Sequence, residues 1–300
     1  MNREVRDPRT PPRLLTLAGS DSGGGAGLQA DLKVFAAHGA YGMSVVTAVT
    51  VQNTLGVTAV HPIPPAIVAA QLDAVLDDIG ADAIKIGMLG SAEVVRAVAG
   101  RLRVHLGDGG DALPLVLDPV MIAKGGAPLL ADEAVTAFLA ELLPLATVVT
   151  PNLPELARLT GLPVATEGER RQAVEALARR GPAVLAKGGH APDAAHATDA
   201  EGDDVVDLLF TGGTEGTWHR FVHPRLAVRS THGTGCTLAA ALAVRLAAGE
   251  PLPAAAAGAI EYVAGAIAAA YPLGRGIGPV DPLYRLRTFT QQLAEKEWGR

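Results

Sequence analysis

Short apolar runs alternate with longer stretches of helical spacing along most of the chain. The apolar runs are rich in Val, Ile and Leu and end near glycine or polar residues, which is typical of strands buried on both faces. This alternation of strand and helix predicts a mostly parallel sheet covered by helices on both sides. The predicted strands are 13–18, 42–51, 83–90, 115–121, 147–152 and 183–190, and the predicted helices are 28–37, 64–79, 91–105, 132–143, 167–180, 253–270 and 280–297.

The stretch 205–229 departs from this pattern, because its alternation of apolar and polar residues is shorter and more polar. It predicts two or three antiparallel strands. The fold class that follows is α/β, a doubly wound and mostly parallel sheet with helices on both faces and an antiparallel edge. In such folds, ligands bind beyond the carboxyl ends of the parallel strands.

Polar side chains gather at that edge of the predicted sheet. Each of them alone also fits a capped strand end or a solvated turn, but so many polar groups at one edge favour a functional site. They are Asp21, Gln52, Lys85, Asp118, Asn152, Glu155, Lys187, His190 and Cys236.

The segment 230–237 predicts an anion-binding turn. Small residues with glycines at 233 and 235 lead directly into an Ala-rich apolar run, which reads as a tight loop at the start of a helix. The first turn of a helix carries unpaired N–H groups and a partial positive charge, which suit a phosphate. Cys236 falls at this turn, so we expect its thiol pKa to be lowered. The alternative is an ordinary loop before a core helix, with Cys236 as a small buried residue.

A second glycine-rich loop, 19–27, joins the first predicted strand to the first helix. Its glycines match neither the dinucleotide fingerprint nor the P-loop, so the loop alone is weak support for a bound nucleotide. It fits closure over a small substrate equally well.

Charge and cysteine content narrow the range of partners. The chain has 300 residues and a net charge of −6, which argues against nucleic acid or an anionic membrane as the main partner. Cys236 is the only cysteine, which excludes an intrachain disulfide and is consistent with a reducing cytoplasm. Glu261 interrupts the Ala-rich stretch 253–270, so we predict a buried helix there rather than a membrane span. The polar, Arg- and Pro-rich residues 1–12 predict a disordered leader.

An anion-binding turn, carboxylates and a lysine at one edge fit phosphoryl transfer, which depends on positioning and electrostatics. Mg²⁺ binds few carboxylates and keeps part of its water shell, so Asp118 and Glu155 are the expected metal ligands, in part through water.

Several motifs, in this order, resemble the bacterial hydroxymethylpyrimidine/phosphomethylpyrimidine kinases of thiamine biosynthesis, which belong to the ribokinase-like superfamily. The resemblance extends over residues 13–282 and implies one ribokinase-like kinase domain over 13–300. The motifs are AGSDSGGGAGLQADLK at 18–33, VQNT at 51–54, KIGML at 85–89, DPVM at 118–121, TPNLPE at 150–155, KGGH at 187–190 and HGTGCT at 232–237.

The resemblance implies a kinase that uses ATP and Mg²⁺ to phosphorylate 4-amino-5-hydroxymethyl-2-methylpyrimidine, and then its monophosphate to the diphosphate. It also implies a homodimer, which together with the lone cysteine gives the expectation of a cytoplasmic homodimer, and it assigns roles to residues. Cys236 takes the position of the general base, with Gly233, Thr234, Gly235 and Lys187 around the transferred phosphate. The pyrimidine site comprises Gly19, Asp21, Gly27, Asp31, Gln52, Met88 and Val120; the nucleotide site comprises Asn152, Lys187, Gly189, Thr231, Gly233 and Gly235; the metal ligands are Asp118 and Glu155.

Two other functions remain open. A pyridoxal kinase of the same architecture shares the Cys236 turn, and a non-catalytic nucleotide-binding protein has the same fold. The second requires a lost catalytic position, and none is missing. Gln52 bears on the first, because a carboxamide matches the adjacent donor and acceptor of an aminopyrimidine, as it does for adenine. Gln52 also fits a simple cap after the strand that ends at Val51.

Overall fold

The computed structural model describes residues 9–106, 113–121, 132–190, 204–213 and 216–287. The strands are β1 (Arg13–Gly19), β2 (Tyr41–Asn53), β3 (Gly56–Pro62), β4 (Ala83–Ile86), β5 (Leu115–Leu117), β6 (Val148–Val149), β7 (Ala183–Ala186), β8 (Asp204–Phe210) and β9 (Trp218–Pro224). The helices are α1 (Gly27–Ala37), α2 (Pro65–Asp78), α3 (Ala92–Leu106), α4 (Asp132–Ala137), α5 (Leu153–Thr160), α6 (Glu167–Ala178), α7 (Thr234–Ala247) and α8 (Leu252–Ala268).

The strands form one nine-stranded sheet in the order β3-β2-β1-β4-β5-β6-β7-β8-β9. The six central strands are parallel to one another, as predicted; in the order of the sheet they are β2, β1, β4, β5, β6 and β7. At one edge β8 and β9 are antiparallel, which confirms the prediction for 205–229. The other edge is antiparallel too, because β3 pairs with β2. The pattern did not predict β3, since this edge strand buries no side chain and therefore has no apolar face.

Apolar side chains cover the sheet on both faces, as a doubly wound fold requires. Alternate residues of β1 divide between the two sides: Leu14 packs with α1, α7 and α8, whereas Leu15 and Leu17 pack with α2 and α3. The centre of α7 is buried on every side, and its run of alanines lets the helix lie close to the sheet. Among the described residues, no helix combines the length and the apolar composition that crossing a bilayer requires.

One helix prediction needs correction, one helix was not predicted, and one prediction is tested only in part. The predicted helix 132–143 is α4 followed by a π-helical segment, Phe138–Leu142, and a 3-10 turn, Leu143–Leu145. The short helix α5 was not predicted, although Asn152 and Glu155 form a capping box at its start. Of the helix predicted over 280–297, residues 280–283 are not helical, residues 284–287 are helical, and the remainder lies outside the described residues.

The order of the strands creates a crevice at one edge of the sheet. The chain runs from β1 to β2 on one side and then crosses to β4 on the other, so the direction of winding reverses between β1 and β4. Loops that follow the parallel strands diverge at such a point, and ligands bind in the gap between them.

Candidate active site

A cavity of about 1050 Å³ opens at the carboxyl ends of the parallel strands. The structure brings together there nearly all the site residues that were predicted from the sequence. The lining includes Gly19, Asp21, Gly27, Gln52, Met88, Asp118, Val120, Asn152, Glu155, Lys187, Gly189, Thr231, Gly233, Thr234, Gly235 and Cys236. Asp31 is the exception, because it is fully buried and absent from this lining. The side chain of His190 is not among the described ones.

Asp21 holds the glycine loop in shape. Its Oδ1 accepts a hydrogen bond from the Gly23 amide at 2.8 Å, and its Oδ2 accepts from the amides of Gly25 at 3.0 Å and Ala26 at 2.8 Å. Burial alone would raise the pKa of Asp21, but the hydrogen bond and charge of His232 and these amides hold it below the ordinary value. Asp21 is therefore an anion whose oxygens hold the glycine loop in place. The substrate contact of Asp21 stays a prediction.

The turn before α7 presents backbone amides to the cavity. Gly233 is the N-cap with φ +82°, and no side chain caps this helix in the part of the chain that the structure describes. A Cβ at Gly233 would overlap with the carbonyl oxygen of Gly25, so the two glycine-containing loops touch backbone to backbone. Within the described part of the chain, the first turn of α7 therefore has no side-chain cap on its amides, which is the arrangement that suits a bound anion.

The sulfur of Cys236 lies in this first turn, but its pKa moves in the direction opposite to the prediction. Burial raises the pKa to about 11, and the carboxylates of Asp31 and Asp118 act in the same direction. The charge of Lys85 and the amide of Gly27 oppose this shift without cancelling it. The expectation of a lowered pKa was wrong, because it counted the helix terminus and left out desolvation and the nearby carboxylates.

Asp31 and Lys85 form an ion pair below the cavity. Lys85 Nζ lies 2.8 Å from Asp31 Oδ2, and Thr16 Oγ1 donates to the same oxygen at 2.6 Å. Burial alone would lower the pKa of Lys85, but Asp31, Cys236 and Asp118 raise it well above its ordinary value. The structure thus places the Asp31 carboxylate against Lys85, which it neutralises, and Lys85 lines the cavity although its side chain is as buried as that of Asp31. The substrate contact of Asp31 stays a prediction.

Asp118 and Lys187 form a second pair, on the cavity wall. Lys187 Nζ donates to Asp118 Oδ1 at 2.8 Å, and Thr150 Oγ1 lies 3.2 Å from the same oxygen. Burial would raise the pKa of Asp118, but Lys187 and Lys85 lower it, so the carboxylate is charged. A Cβ at Gly235 would lie 3.3 Å from Lys187 Nζ, which places this cation beside the first turn of α7.

Glu155 lies beside this pair. Its carboxylate accepts a hydrogen bond from the backbone N–H of Asn152 at 2.8 Å, while the side-chain oxygen Oδ1 of Asn152 accepts one from the backbone N–H of Glu155 at 2.9 Å. Burial raises the pKa of Glu155 to about 7, which Lys187 opposes and Asp118 reinforces. The side-chain oxygen of Asn152 is thus engaged in the cap of α5.

The donors present fit Mg²⁺. The described residues contain no group of three or more His, Cys, Asp or Glu side chains arranged to hold a metal. The carboxylates of Asp118 and Glu155 nevertheless both line the cavity, near Lys187. Mg²⁺ commonly binds one or two carboxylates and completes its shell with water and substrate phosphates.

Two side chains for which the sequence predicted no specific role, Lys85 and His232, lie at the site. Lys85 lines the cavity from the end of β4, and His232 Nε2 lies 2.8 Å from Asp21 Oδ2. Both stand inside motifs quoted above. A signal for Lys85 was available, because a lysine in an otherwise apolar strand needs a buried partner.

Comparison with known proteins gives a consistent family. The sequence model of the phosphomethylpyrimidine kinase family matches residues 21–281. A hydroxymethylpyrimidine/phosphomethylpyrimidine kinase of Streptomyces coelicolor is 52% identical over 275 residues, which cover 91% of this chain and 95% of that protein. The thiamine biosynthesis bifunctional protein ThiED of Geobacter sulfurreducens is 50% identical over 93% of this chain, which spans about half, 54%, of that longer protein.

Solved structures agree on the fold. A phosphomethylpyrimidine kinase of Clostridium difficile superimposes with a TM-score of 0.71 at 38% identity, covering 85% of this chain and 99% of that one. A pyridoxal kinase of Staphylococcus aureus in complex with pyridoxal gives a TM-score of 0.80 at 34% identity, covering 93% of this chain and 96% of that one. With the family match over residues 21–281 and relatives near half identity, the chain belongs to the phosphomethylpyrimidine kinase family.

Proposed function

We propose that this protein transfers a phosphoryl group from ATP to 4-amino-5-hydroxymethyl-2-methylpyrimidine, and then to the resulting monophosphate. The observation that carries the proposal is a single cavity in which the uncapped first turn of α7 faces the glycine loop, with Asp118, Glu155 and Lys187 beside it. Relatives named for both phosphorylations are 45–52% identical to this chain.

The anion site receives the transferred phosphate. Amides of the α7 turn and the Lys187 ammonium stabilise the charge on the phosphoryl oxygens, which is where this reaction gains most of its rate. Mg²⁺ at Asp118 and Glu155, when bound, neutralises further phosphate charge. The Staphylococcus aureus pyridoxal kinase has been solved in complexes with ADP and with AMP-PCP, which supports ATP as the donor here.

Cys236 is the proposed acceptor of the hydroxyl proton, through its thiolate form. With a pKa of about 11 only a small fraction of the thiol is ionised at neutral pH. That thiolate is a strong base, however, and a loose transition state needs proton transfer only late. This role therefore predicts a rate that follows the thiolate fraction.

Pyridoxal phosphorylation is the second candidate, and one observation favours it. The TM-score to the Staphylococcus aureus pyridoxal kinase, 0.80, exceeds the 0.71 to the Clostridium difficile phosphomethylpyrimidine kinase. Sequence identity runs the other way, 34% against 38%. Because backbone similarity reports a fold that both activities share, we give more weight to side-chain identity and prefer the pyrimidine.

The test is a coupled ADP-release assay that offers the aminopyrimidine alcohol, its monophosphate and pyridoxal side by side. We expect turnover of both pyrimidines and a lower kcat/KM for pyridoxal. Pyridoxal lacks the adjacent amino donor and ring-nitrogen acceptor that the Gln52 amide matches. Binding pyridoxal would leave part of that amide unpaired, which costs about 1–3 kcal/mol for a buried group. A wild-type preference for pyridoxal would reverse the assignment.

Gln52→Leu sharpens the same assay. The variant should lose most of its kcat/KM for the aminopyrimidine alcohol, roughly ten- to a hundredfold, while pyridoxal turnover changes little. Parallel losses for both substrates would reduce Gln52 to a cap at the end of β2.

We also propose that the protein is a cytoplasmic homodimer. The support is the family resemblance, the lone thiol of Cys236 and a set of exposed apolar side chains on β2 and β3, among them Val49, Val51 and Val60. Light scattering at micromolar concentration should give twice the chain mass of 30.6 kDa, and a value near the single mass would refute the dimer.

A further inference from the structure

His232 links the glycine loop to Gln52 across the cavity. Its Nε2 lies 2.8 Å from Asp21 Oδ2 and 3.2 Å from one end of the Gln52 side-chain amide. The His232 side chain is only 11% exposed and Asp21 only 2%, so water competes little for these contacts. One ring nitrogen therefore serves two neighbours.

Asp21 decides whether that nitrogen carries a proton. An ionised carboxylate only accepts hydrogen bonds, and Asp21 already accepts three from backbone amides. A bare Nε2 lone pair 2.8 Å from this anion would be repelled, so Nε2 carries the hydrogen and donates to Asp21. The lowered pKa of Asp21 agrees with this assignment.

The same hydrogen decides which end of the Gln52 amide faces His232. In the structure the nitrogen of the Gln52 amide lies toward His232, and its oxygen lies 3.3 Å from Thr50 Oγ1. That placement sets two N–H donors against each other at His232. It also gives the single Thr50 hydroxyl proton two acceptors, since Thr50 Oγ1 donates to the Ser20 carbonyl oxygen at 2.8 Å.

Turning the amide by half a turn removes the clash between the two donors. The Gln52 oxygen then shares the His232 Nε2–H with Asp21 Oδ2, the nearer acceptor, in a three-centre hydrogen bond. The Gln52 NH₂ group donates to a lone pair of Thr50 Oγ1, whose own proton goes to the Ser20 carbonyl oxygen alone. The two ends of the amide, judged by separate neighbours, lead to the same orientation.

We propose that His232, held by Asp21, is a positioning residue that fixes the Gln52 amide with its oxygen toward His232 and its nitrogen toward Thr50. Its consequence for the substrate rests on the proposed function: the orientation of the amide determines how the aminopyrimidine binds. The amino group of the substrate donates to the Gln52 oxygen on the His232 side, and the neighbouring ring nitrogen accepts from the Gln52 NH₂ on the Thr50 side.

The test compares the aminopyrimidine alcohol with its analogue that carries hydrogen in place of the amino group. Wild type should prefer the amino compound by roughly ten- to a hundredfold in kcat/KM. His232→Leu should lose most of this preference with little change in KM for ATP. His232→Gln should keep it, because a carboxamide NH₂ donates from a similar reach. His61→Leu, at an exposed position on β3, is the matched control and should behave as wild type.

A double-mutant cycle separates positioning from general damage. If His232 acts through Gln52, the variant with both His232→Leu and Gln52→Leu should be no worse than Gln52→Leu alone. Additive losses would overturn the proposal, as would a full amino preference in His232→Leu. Failure of wild type to phosphorylate the aminopyrimidine would overturn the proposed function itself, and the inference with it.

A measurement on unmodified protein covers the case in which His232→Leu does not fold. Long-range ¹⁵N–¹H correlation spectra report which ring nitrogen of a histidine carries hydrogen. We expect His232 Nε2 to be protonated at neutral pH, and the amino-to-hydrogen preference ratio to be the same at pH 6 and 8, because Nε2–H donates in either charge state of the ring. An unprotonated Nε2 would overturn the assignment.

Discussion

Lys85 Nζ lies 2.8 Å from Asp31 Oδ2, and neither side chain is exposed to solvent. The other oxygen of Asp31 has no hydrogen-bond partner among the described residues. Breaking a buried pair leaves an uncompensated charge in the interior, which is more costly than losing the attraction itself. Removing either partner of this pair should therefore destabilise the floor of the cavity.

Asp31→Asn should lower the free energy of unfolding by about 3–5 kcal/mol, because Lys85 would remain buried without its counter-charge. Urea unfolding measures the loss. The KM for the aminopyrimidine should stay near the wild-type value in the folded fraction. A raised KM at unchanged stability would support the direct substrate contact that the sequence suggested.

The rate of the Cys236-dependent step should rise with pH. Burial raises the thiol pKa to about 11, so below that value the thiolate fraction grows by about tenfold per pH unit. We expect kcat to rise between pH 7.5 and 9, and Cys236→Ala to lose this slope together with about 10²-fold in kcat. A flat wild-type profile would remove the thiolate from the mechanism.

Turnover should require a divalent cation. Excess chelator should abolish activity, and Glu155→Gln should raise the Mg²⁺ concentration needed for half-maximal rate, since one of the two proposed carboxylate ligands is lost. Titration of Mg²⁺ at fixed ATP measures this shift. Full activity in chelator would refute the metal.

The stability of the metal-free protein should fall as pH rises from about 5 to 8, in part because of Glu155. Its folded-state pKa of about 7 exceeds the ordinary value of 4.5, so between these values the native state binds more protons than the unfolded state. The free energy of unfolding then decreases with pH across this window. Glu155→Gln should remove about 1–3 kcal/mol of that decrease in urea titrations at pH 5 and 8. An unchanged slope would contradict the raised pKa.

Gly233→Ala should damage both stability and catalysis. The left-handed backbone alone costs about 1–2 kcal/mol for an L-residue. The new Cβ would also overlap with the Gly25 carbonyl and displace the anion turn, which should lower kcat/KM by about 10²-fold. Gly39→Ala is the control: it has φ +72° but no atom within 4 Å, so it should cost stability alone. Equal activity in the two variants would contradict the close packing of the loops.

The parallel strands could be predicted because buried strands carry a strong apolar signal. β3 and α5 could not be found in this way: β3 buries no side chain, and α5 has only eight residues. The signal for α5 was chemical rather than periodic, namely the capping pair Asn152 and Glu155.

Site residues could be predicted where the strand ends carry polar groups, since topology alone brings those ends together. What the sequence could not tell was which polar groups face each other. Asp31 stands inside a recognised motif, yet it turns toward Lys85, which is 54 positions away. Likewise the raised pKa of Cys236 depends on burial and on the carboxylates of Asp31 and Asp118, which are distant in sequence, so no local pattern reports it.

The Asp21–His232 hydrogen bond joins residues 211 positions apart, and the Gln52–His232 contact spans 180. Contacts this distant in sequence form late, because a long loop must close first. During synthesis, which proceeds from the N-terminus at about 5–20 residues per second, the strands emerge well before α7 exists to cover one face of the sheet. A growing chain therefore spends several seconds with an uncovered apolar face. Fragments that end before residue 234 lack the anion turn and so have no partial activity.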